Sequence, residues 1–318
     1  MPRAQIAEIQ RSRLLAGAIR AVEELGYADT TVAQITSRAR VSRRTFYELF
    51  PNREACLAAA LQHVVALIES DLAELELVGL AWRERVRIGL WTILSFFDRE
   101  PVLARVCVVH ALRGGSAVLE LREEILARLA AVVDEGRRES GRSGDFTPLI
   151  AEGLVGAALA ILHARLLKRR REPLRGLLGE LTGLIVLPYQ GAAAARREQA
   201  RPLPDPLSGA ARMFVKVARA AGDPLDGVPM RLTYRTARVL EGVADHPGVS
   251  NRAIADHAGI ADQGQVSKLL ARLERLGLLA NQGSGHLKGE PNAWELTIKG
   301  ERVAQNIRAR QPERQEAA

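Results

Sequence analysis

The stretch Thr31-Val-Ala-Gln-Ile-Thr-Ser-Arg-Ala-Arg-Val-Ser-Arg-Arg-Thr-Phe-Tyr-Glu-Leu-Phe-Pro-Asn-Arg-Glu54 decides how the N-terminal part of this chain reads. Thr31 followed three positions later by Gln34 is a capping-box pattern, which predicts a short helix through Val32 and Ile35 to about Ala39. Ser42 caps a second helix that runs to Phe50, where Pro51 prevents continuation and Asn52 caps the next one. On that second helix Phe46, Leu49 and Phe50 share one face, Arg44 and Glu48 point the other way, and Arg43, Thr45 and Tyr47 lie on the flanks. Five arginines (38, 40, 43, 44 and 53) stand here against Glu48 and, one residue further on, Glu54. Two helices joined by a tight turn let the second lie in the major groove of a duplex while the first braces it against the backbone. Upstream, Ile9, Leu14, Ala18, Val22 and Leu25 fall near helical spacing and stop at Gly26, which adds a first helix.

Gly26-Tyr27, Thr30-Thr31-Val32, Ile35, Val41-Ser42, Phe46-Tyr47 and Phe50-Pro51-Asn52-Arg53-Glu54 resemble the N-terminal pattern of the TetR/AcrR family over about residues 11 to 65. The resemblance implies a DNA-facing set of Thr31, Gln34, Ser42, Arg43, Arg44, Thr45, Tyr47 and Arg53. Thr45 and Tyr47 would meet phosphates, Arg43 and Arg44 would approach bases or backbone, and Arg53 would stand where the family often has a phosphate-contacting Lys. One departure matters: Arg40 occupies the turn position where the family usually has Gly. A side chain there costs roughly 1 kcal/mol if φ is positive.

From there to about Tyr189 the pattern predicts amphipathic helices over about 54–76, 82–98, 101–113, 116–139, 147–169 and 173–190, punctuated by Gly and Pro. The last two are strongly apolar, and such faces must be covered, either inside one chain or by a second copy. The resemblance implies pairing of these helices with their counterparts in a homodimer, and a cavity deeper in the region for an unknown small-molecule effector. Trp91, Phe96, Cys107 and His110, with Trp82 and Phe97 nearby, are the candidate pocket residues, although aromatic and sulfur residues at helical spacing commonly serve as core.

Residues 191–206 turn Ala/Arg-rich and then Pro-rich, which reads as a linker, helical at first, followed by a helix over about 207–221. Helical patterns at about 233–245, 250–258 and 262–277 then precede Leu278-Leu279-Ala280, a Gly-rich turn and the short run Trp294-Glu-Leu296. Three helices and a β-hairpin describe a winged helix, and residues 233–308 resemble the MarR type in layout. Asp262 and Gln265 make a capping-box-like start to the third helix, and Val266, Leu269, Leu270, Leu273 and Leu276 form its buried stripe. Ser267, Lys268, Arg272 and Arg275 lie on or beside the opposite face, and Lys288 sits where a wing would meet the backbone. The fold class expected is therefore mainly α. An N-terminal three-helix helix-turn-helix spans 1–55, a helical effector and dimerisation domain 56–190, a linker with a short helix 191–227, and a winged helix with a small β-hairpin 228–318. The Pro-rich tether predicts a semi-independent second reader.

Charge supports this arrangement: of the net +8, residues 1–55 carry +3, residues 56–227 carry +2 and residues 228–318 carry +3. The ends hold the excess, as expected if they meet a polyanion. Cys56 and Cys107 form no C-x-x-C pair, the six histidines are scattered singly, and no G-x-S-x-G, H-E-x-x-H or dinucleotide glycine fingerprint occurs. No enzyme, cofactor or metal is expected. The apolar run at 153–162 ends at His163 and Arg165, and no hydrophobic signal region opens the chain, so a cytoplasmic location without membrane contact is expected. The composite expectation is an effector-responsive repressor, a homodimer on a palindromic operator in double-stranded DNA. The rival reading is a scaffold whose winged helix docks a partner protein.

Overall fold

The computed structural model describes residues 3–73, 75, 77–140, 147–168, 172–204, 228, 230, 232–260, 262–283 and 292–308. They form α1 (Arg3–Leu25), α2 (Val32–Ala39), α3 (Arg43–Leu49), α4 (Arg53–Ala73), α5 (Trp82–Arg99), α6 (Pro101–Val108), α7 (Ser116–Glu139), α8 (Pro148–Leu167) and α9 (Leu178–Ala200). The C-terminal region adds α10 (Tyr234–Asp245), α11 (Asn251–Ala258), α12 (Gln263–Arg275), strands β1 (Leu279–Asn281) and β2 (Trp294–Leu296), and α13 (Ile298–Arg308). The expected helix over 101–113 ends at Val108 and gives way to a 3-10 turn, His110–Arg113. The helix expected at 207–221, Lys288 and most of the Gly-rich turn lie outside the described residues. Contacts divide the chain into two compact units that do not follow chain order: residues 1–16, 36–49 and 222–318 in one, 17–35 and 50–221 in the other.

The second of these is a helical bundle built around Trp82, which is fully buried. Its indole N–H donates to the Val132 carbonyl at 2.9 Å, and its ring meets Tyr189 edge-on at 5.3 Å. Ala81, at the N-cap of α5, has no side chain to cap with, so Glu139 of α7 accepts the Trp82 backbone N–H at 2.9 Å instead. A long-range carboxylate thus satisfies an amide that local sequence leaves open. α9 continues past the expected end near 190 and reverses at Gly191, whose φ of 80° and ψ of 172° are not helical. The returning segment 192–200 lies along the first half of α9, where a Cβ on Gly179 would stand 2.9 Å from the Gln199 carbonyl oxygen. Only glycine allows that approach. The return is held by a buried ion pair, Arg87 Nη1 to Glu198 Oε2 at 3.3 Å, with Arg87 also donating to the Pro202 carbonyl at 2.9 Å. The Ala/Arg-rich stretch is therefore an integral helix as far as Ala200.

By length and composition α4 and α8 are each apolar enough to cross a membrane. The apolar stretch of α8 is longer than the run at 153–162 suggests, because Leu, Ile and Ala on both sides extend it. Its inner face (Ala151, Leu154, Val155, Ala158, Leu162) is buried, and its outer face shows Leu149, Gly153, Gly156, Ala160, Ile161 and Leu167.

In the other unit α10, α11, α12 and α13 surround one core with the antiparallel pair β1 and β2, in register Leu279 to Leu296 and Asn281 to Trp294. A further single bridge joins Val249 to Trp294. The tether reading expects this core to be closed by C-terminal residues alone. Instead Ile6 and Ile9 of α1 are part of it, beside Met230, Leu232, Leu240 and Ile307. Burying an isoleucine contributes about 1.5–3 kcal/mol, so the two together are a substantial fraction of a domain's net stability.

The helix-turn-helix turn is where the sequence departs from its pattern. Arg40 has φ 53° and is the one described non-glycine residue with positive φ. Its N–H donates to the Ser37 carbonyl at 3.2 Å and the Val41 N–H to the Thr36 carbonyl at 3.1 Å, a Schellman closure of α2 with arginine in the left-handed position. The corresponding turn after α11 closes the same way with Gly259 at φ 63°. Arg40→Gly should relieve about 1–2 kcal/mol of strain and lose roughly half of that to the greater freedom of the unfolded chain. Urea unfolding is expected to show Arg40→Gly more stable than the parent by about 0.5–1 kcal/mol, whereas Arg40→Ala gains nothing because alanine keeps the Cβ.

Candidate nucleic-acid interfaces and cavity

The N-terminal motif is held by its caps. Thr31 N–H donates to Gln34 Oε1 at 2.7 Å and Gln34 N–H donates to Thr31 Oγ1 at 3.3 Å, a reciprocal box. Ser42 Oγ accepts from the Thr45 N–H at 3.0 Å and lies 2.9 Å from Thr45 Oγ1, so both hydroxyls serve the start of α3. Asn52 Oδ1 caps α4 through the Ala55 N–H at 2.8 Å. With Phe46 fully buried as the anchor, the rest of α3 divides cleanly: Arg43, Arg44, Tyr47 and Glu48 are exposed, Ser42 and Thr45 half-buried. Tyr47 is 59% exposed, unusual for an aromatic residue, and its ring stands edge-on to Phe46 at 5.3 Å. Arg44 pairs with Glu48 at 2.9 Å across one helical turn. So exposed an ion pair holds its arginine weakly and leaves it available to a phosphate or base.

Arg53 is placed differently from the rest. Its guanidinium donates to the Thr30 carbonyl at 2.7 Å and lies over the Tyr27 ring at 5.1 Å, so it fixes the loop between α1 and α2. Thr31 and Gln34 are likewise engaged with each other.

On α12, Ser267, Lys268, Arg272 and Arg275 are exposed, while Val266, Leu270 and Leu273 are buried on the opposite face. Asp262 caps the helix through the N–H groups of Gly264 at 2.8 Å and Gln265 at 3.2 Å. The Gln265 side chain does not complete a box; it accepts from Arg235 of α10 at 2.7 Å. A network that the sequence reading missed lies beneath the hairpin. Asn251 Oδ1 accepts from Trp294 Nε1 at 2.6 Å and from Asn292 Nδ2 at 3.1 Å, while Asn251 Nδ2 donates to Ser267 Oγ at 3.2 Å. Asn281 Oδ1 receives the backbone N–H groups of Gly283 at 3.1 Å and Ala293 at 3.0 Å, joining the two sides of the hairpin base. One asparagine thereby connects the exposed face of α12 to the hairpin. The visible signal was only an Asn at a helix start, which reads as a cap.

The four candidate pocket residues do not come together around a cavity. Trp91 and Phe96 are core, and burial pushes the Cys107 thiol up to about 12, which keeps it protonated. His110 borders a hollow of about 20 Å³, large enough for a single water, and lies 3.5 Å from Glu23. Burial holds its basicity below the ordinary histidine value, partly offset by Glu23. A larger cavity of about 490 Å³ lies elsewhere, between the ends of α5 and α8 and the 3-10 turn Leu174–Leu177. Phe97, Leu166, Leu174 and Leu177 give it apolar walls. Its charged lining consists of Arg105 bonded to Glu23 at 2.7 Å, Arg165 at 3.6 Å from Glu172, and Arg175 at 3.9 Å from Asp98. Asp98 also caps the 3-10 turn through the Leu174 N–H at 2.7 Å. Among the described residues no three His, Cys, Asp or Glu side chains are grouped to hold a metal ion.

The family model for bacterial regulatory proteins of the tetR family matches residues 14–60, and the MarR family model matches residues 232–286. The HTH-type transcriptional regulator BetI of Burkholderia thailandensis is 31% identical over 162 residues, 45% of this chain and 80% of that protein. BetI of Burkholderia mallei is 25% identical over the same length and coverage. Among solved structures, the fatty acid degradation regulator FadR from Bacillus halodurans matches with a TM-score of 0.48 and 20% identity, covering 56% of this chain and 94% of that one. An N-terminal helix-turn-helix, a helical bundle and a C-terminal winged helix thus identify the chain as a DNA-binding transcriptional regulator that belongs to the TetR family and carries a MarR-type module at its C-terminus.

Proposed function

We propose that the protein is an effector-responsive repressor that binds a palindromic operator as a homodimer, with α3 as its first base-reading helix and α12 as its second. The observation that carries this reading is the exposed face of α3, where Arg43, Arg44 and Tyr47 project from a short helix whose other side is anchored by buried Phe46. Exposed arginines on a capped, rigid helix supply both phosphate neutralisation and base-edge donors. The protein acts in the cytoplasm, where its DNA lies. The effector site is the 490 Å³ cavity, whose apolar walls and loosely paired Arg165 and Arg175 suit a small molecule with an apolar body and a charged end. Docking of a partner protein on the winged helix is the competing reading, and steep salt dependence of duplex binding separates the two.

Arg44→Ala is expected to weaken specific operator binding by about 1–3 kcal/mol, and Tyr47→Phe to weaken all sequences alike, both measured by fluorescence anisotropy on operator and random duplexes. Unchanged affinity and salt slope for Arg44→Ala would remove α3 from the interface. Lys268→Ala should lower the salt slope by about one unit.

Asn251→Ala leaves Trp294 Nε1 without its acceptor and frees Ser267. It should cost about 1–3 kcal/mol in urea unfolding and weaken operator binding, while Ser267→Ala should weaken binding with little effect on stability.

Dimerisation through the outer face of α8 rests on its small and apolar residues, which permit close helix approach. A Cβ at Gly156 meets nothing within 4 Å, so Gly156→Arg is tolerated by the single chain. Light scattering should then report a monomer with unchanged helix content; a persistent dimer would place the interface on another face.

A further inference from the structure

The first turns of α1 carry a stripe of residues that the family pattern, beginning at about residue 11, leaves unexplained. Ile6 and Ile9 belong to the core formed by α10, α11, α12 and α13. Around them three side chains donate to carbonyls of the C-terminal region: Gln5 Nε2 to Ile307 at 2.8 Å, Gln10 Nε2 to Leu232 at 3.2 Å, and Arg13 Nη1 to Met230 at 3.1 Å. The Ile307 carbonyl lies in the last described turn of α13, so Gln5 ties the start of α1 to that helix. Arg13 is 1% exposed. Positions 5, 6, 9, 10 and 13 fall on one helical face, so the contact is a continuous stripe and not a chance touch. Residues 36–49, which include α3, belong to this same compact unit.

We propose that residues 3–16 of α1 clamp the winged helix, so that α3 and α12 form one DNA-reading body that addresses two sub-sites of a single duplex at fixed spacing and helical phase. This rests on the reading of α3 and α12 as the DNA-facing helices. It replaces the picture of a second reader swinging on a Pro-rich tether, for which spacing matters little because the linker supplies only an effective concentration. Ile6, Ile9, Gln5 and Arg13 are then positioning residues for DNA recognition: they touch no DNA and set where α12 stands.

The test uses the full chain with a protease site inserted between residues 204 and 228. After cleavage the C-terminal fragment should stay with the N-terminal one in gel filtration at 0.15 M and at 1 M salt, roughly the range over which screening removes weak surface charge contacts. Operator affinity should remain within about twofold of the uncut protein, because docking and not the tether supplies the effective concentration. Inserting about 5 base pairs between the two sub-sites, half a helical turn, should weaken binding at least about tenfold, to the level of a duplex lacking the second sub-site. Ile9→Asp should release the cleaved fragment. Since that variant risks unfolding, Gln5→Ala combined with Gln10→Ala, which buries no charge, should raise the dissociation constant of the cleaved fragments about tenfold with circular dichroism unchanged. Separation of the wild-type fragments on cleavage overturns the clamp, and so does a 5-base-pair insertion that is tolerated although loss of the second sub-site is not. Fragments that stay together on a protein indifferent to the second sub-site overturn the proposal by a different route: the clamp holds, and the assignment of α12 as a DNA reader fails.

Discussion

A hydrophobic core must be closed on every side, and the core of the C-terminal winged helix is closed by two isoleucines from the opposite end of the chain. Ile6 and Ile9 sit among Met230, Leu232, Leu240 and Ile307, and the amides of Gln5 and Gln10 and the guanidinium of Arg13 satisfy carbonyls at the rim. Exposing this surface would leave apolar groups in water and strand buried polar groups together, which is far more costly than losing any one contact. The N-terminal turns of α1 therefore have a second duty besides opening a helix-turn-helix. The compact unit they help form contains the last part of α2, all of α3 and the winged helix.

The two helix-turn-helix units solve the same local problem with different residues. Each needs a tight turn in the left-handed region, and one uses Gly259 while the other accepts strain at Arg40. The second helix of each unit is started by a side-chain cap, Ser42 for α3 and Asp262 for α12. The outward faces of both helices are what remain once caps and core have taken their residues. Arg53 illustrates the competition, since its guanidinium is engaged by the Thr30 carbonyl and the Tyr27 ring. Asn251 illustrates the converse: a residue with no obvious role in recognition holds Ser267, Asn292 and Trp294 in one network and so fixes a surface it belongs to only in part.

In the helical bundle, the reversal at Gly191 covers one side of α9 with the chain's own residues 192–200 and locks it through Arg87 and Glu198. This changes which apolar surface needs a partner. Leu181, Ile185 and Val186 are buried within the chain, whereas the outer face of α8 keeps Leu149, Gly153, Gly156 and Ile161 exposed. The cavity of about 490 Å³ arises where helix ends meet, and of the aromatic residues of α5 Phe97 lines it.

Local pattern determined much of this protein. The helix-turn-helix, its capping box at Thr31 and Gln34, the caps Ser42 and Asn52, the buried face of Phe46 and the turn at Arg40 all depend on residues a few positions apart, where backbone sterics and short-range hydrogen bonds decide the outcome. The winged helix was legible for the same reason, from the periodicity of α10 to α12 and the short runs that became β1 and β2. Tertiary structure alone decided the rest. That Ile9 completes a core some 220 residues away, that Glu139 caps α5, that α9 folds back, and that a cavity of about 490 Å³ opens beside Arg165 and Arg175 are outcomes of packing between distant segments. An apolar residue at helical spacing announces that it will be buried; which partner buries it depends on the shape and unsatisfied groups of surfaces that exist only after the chain has folded.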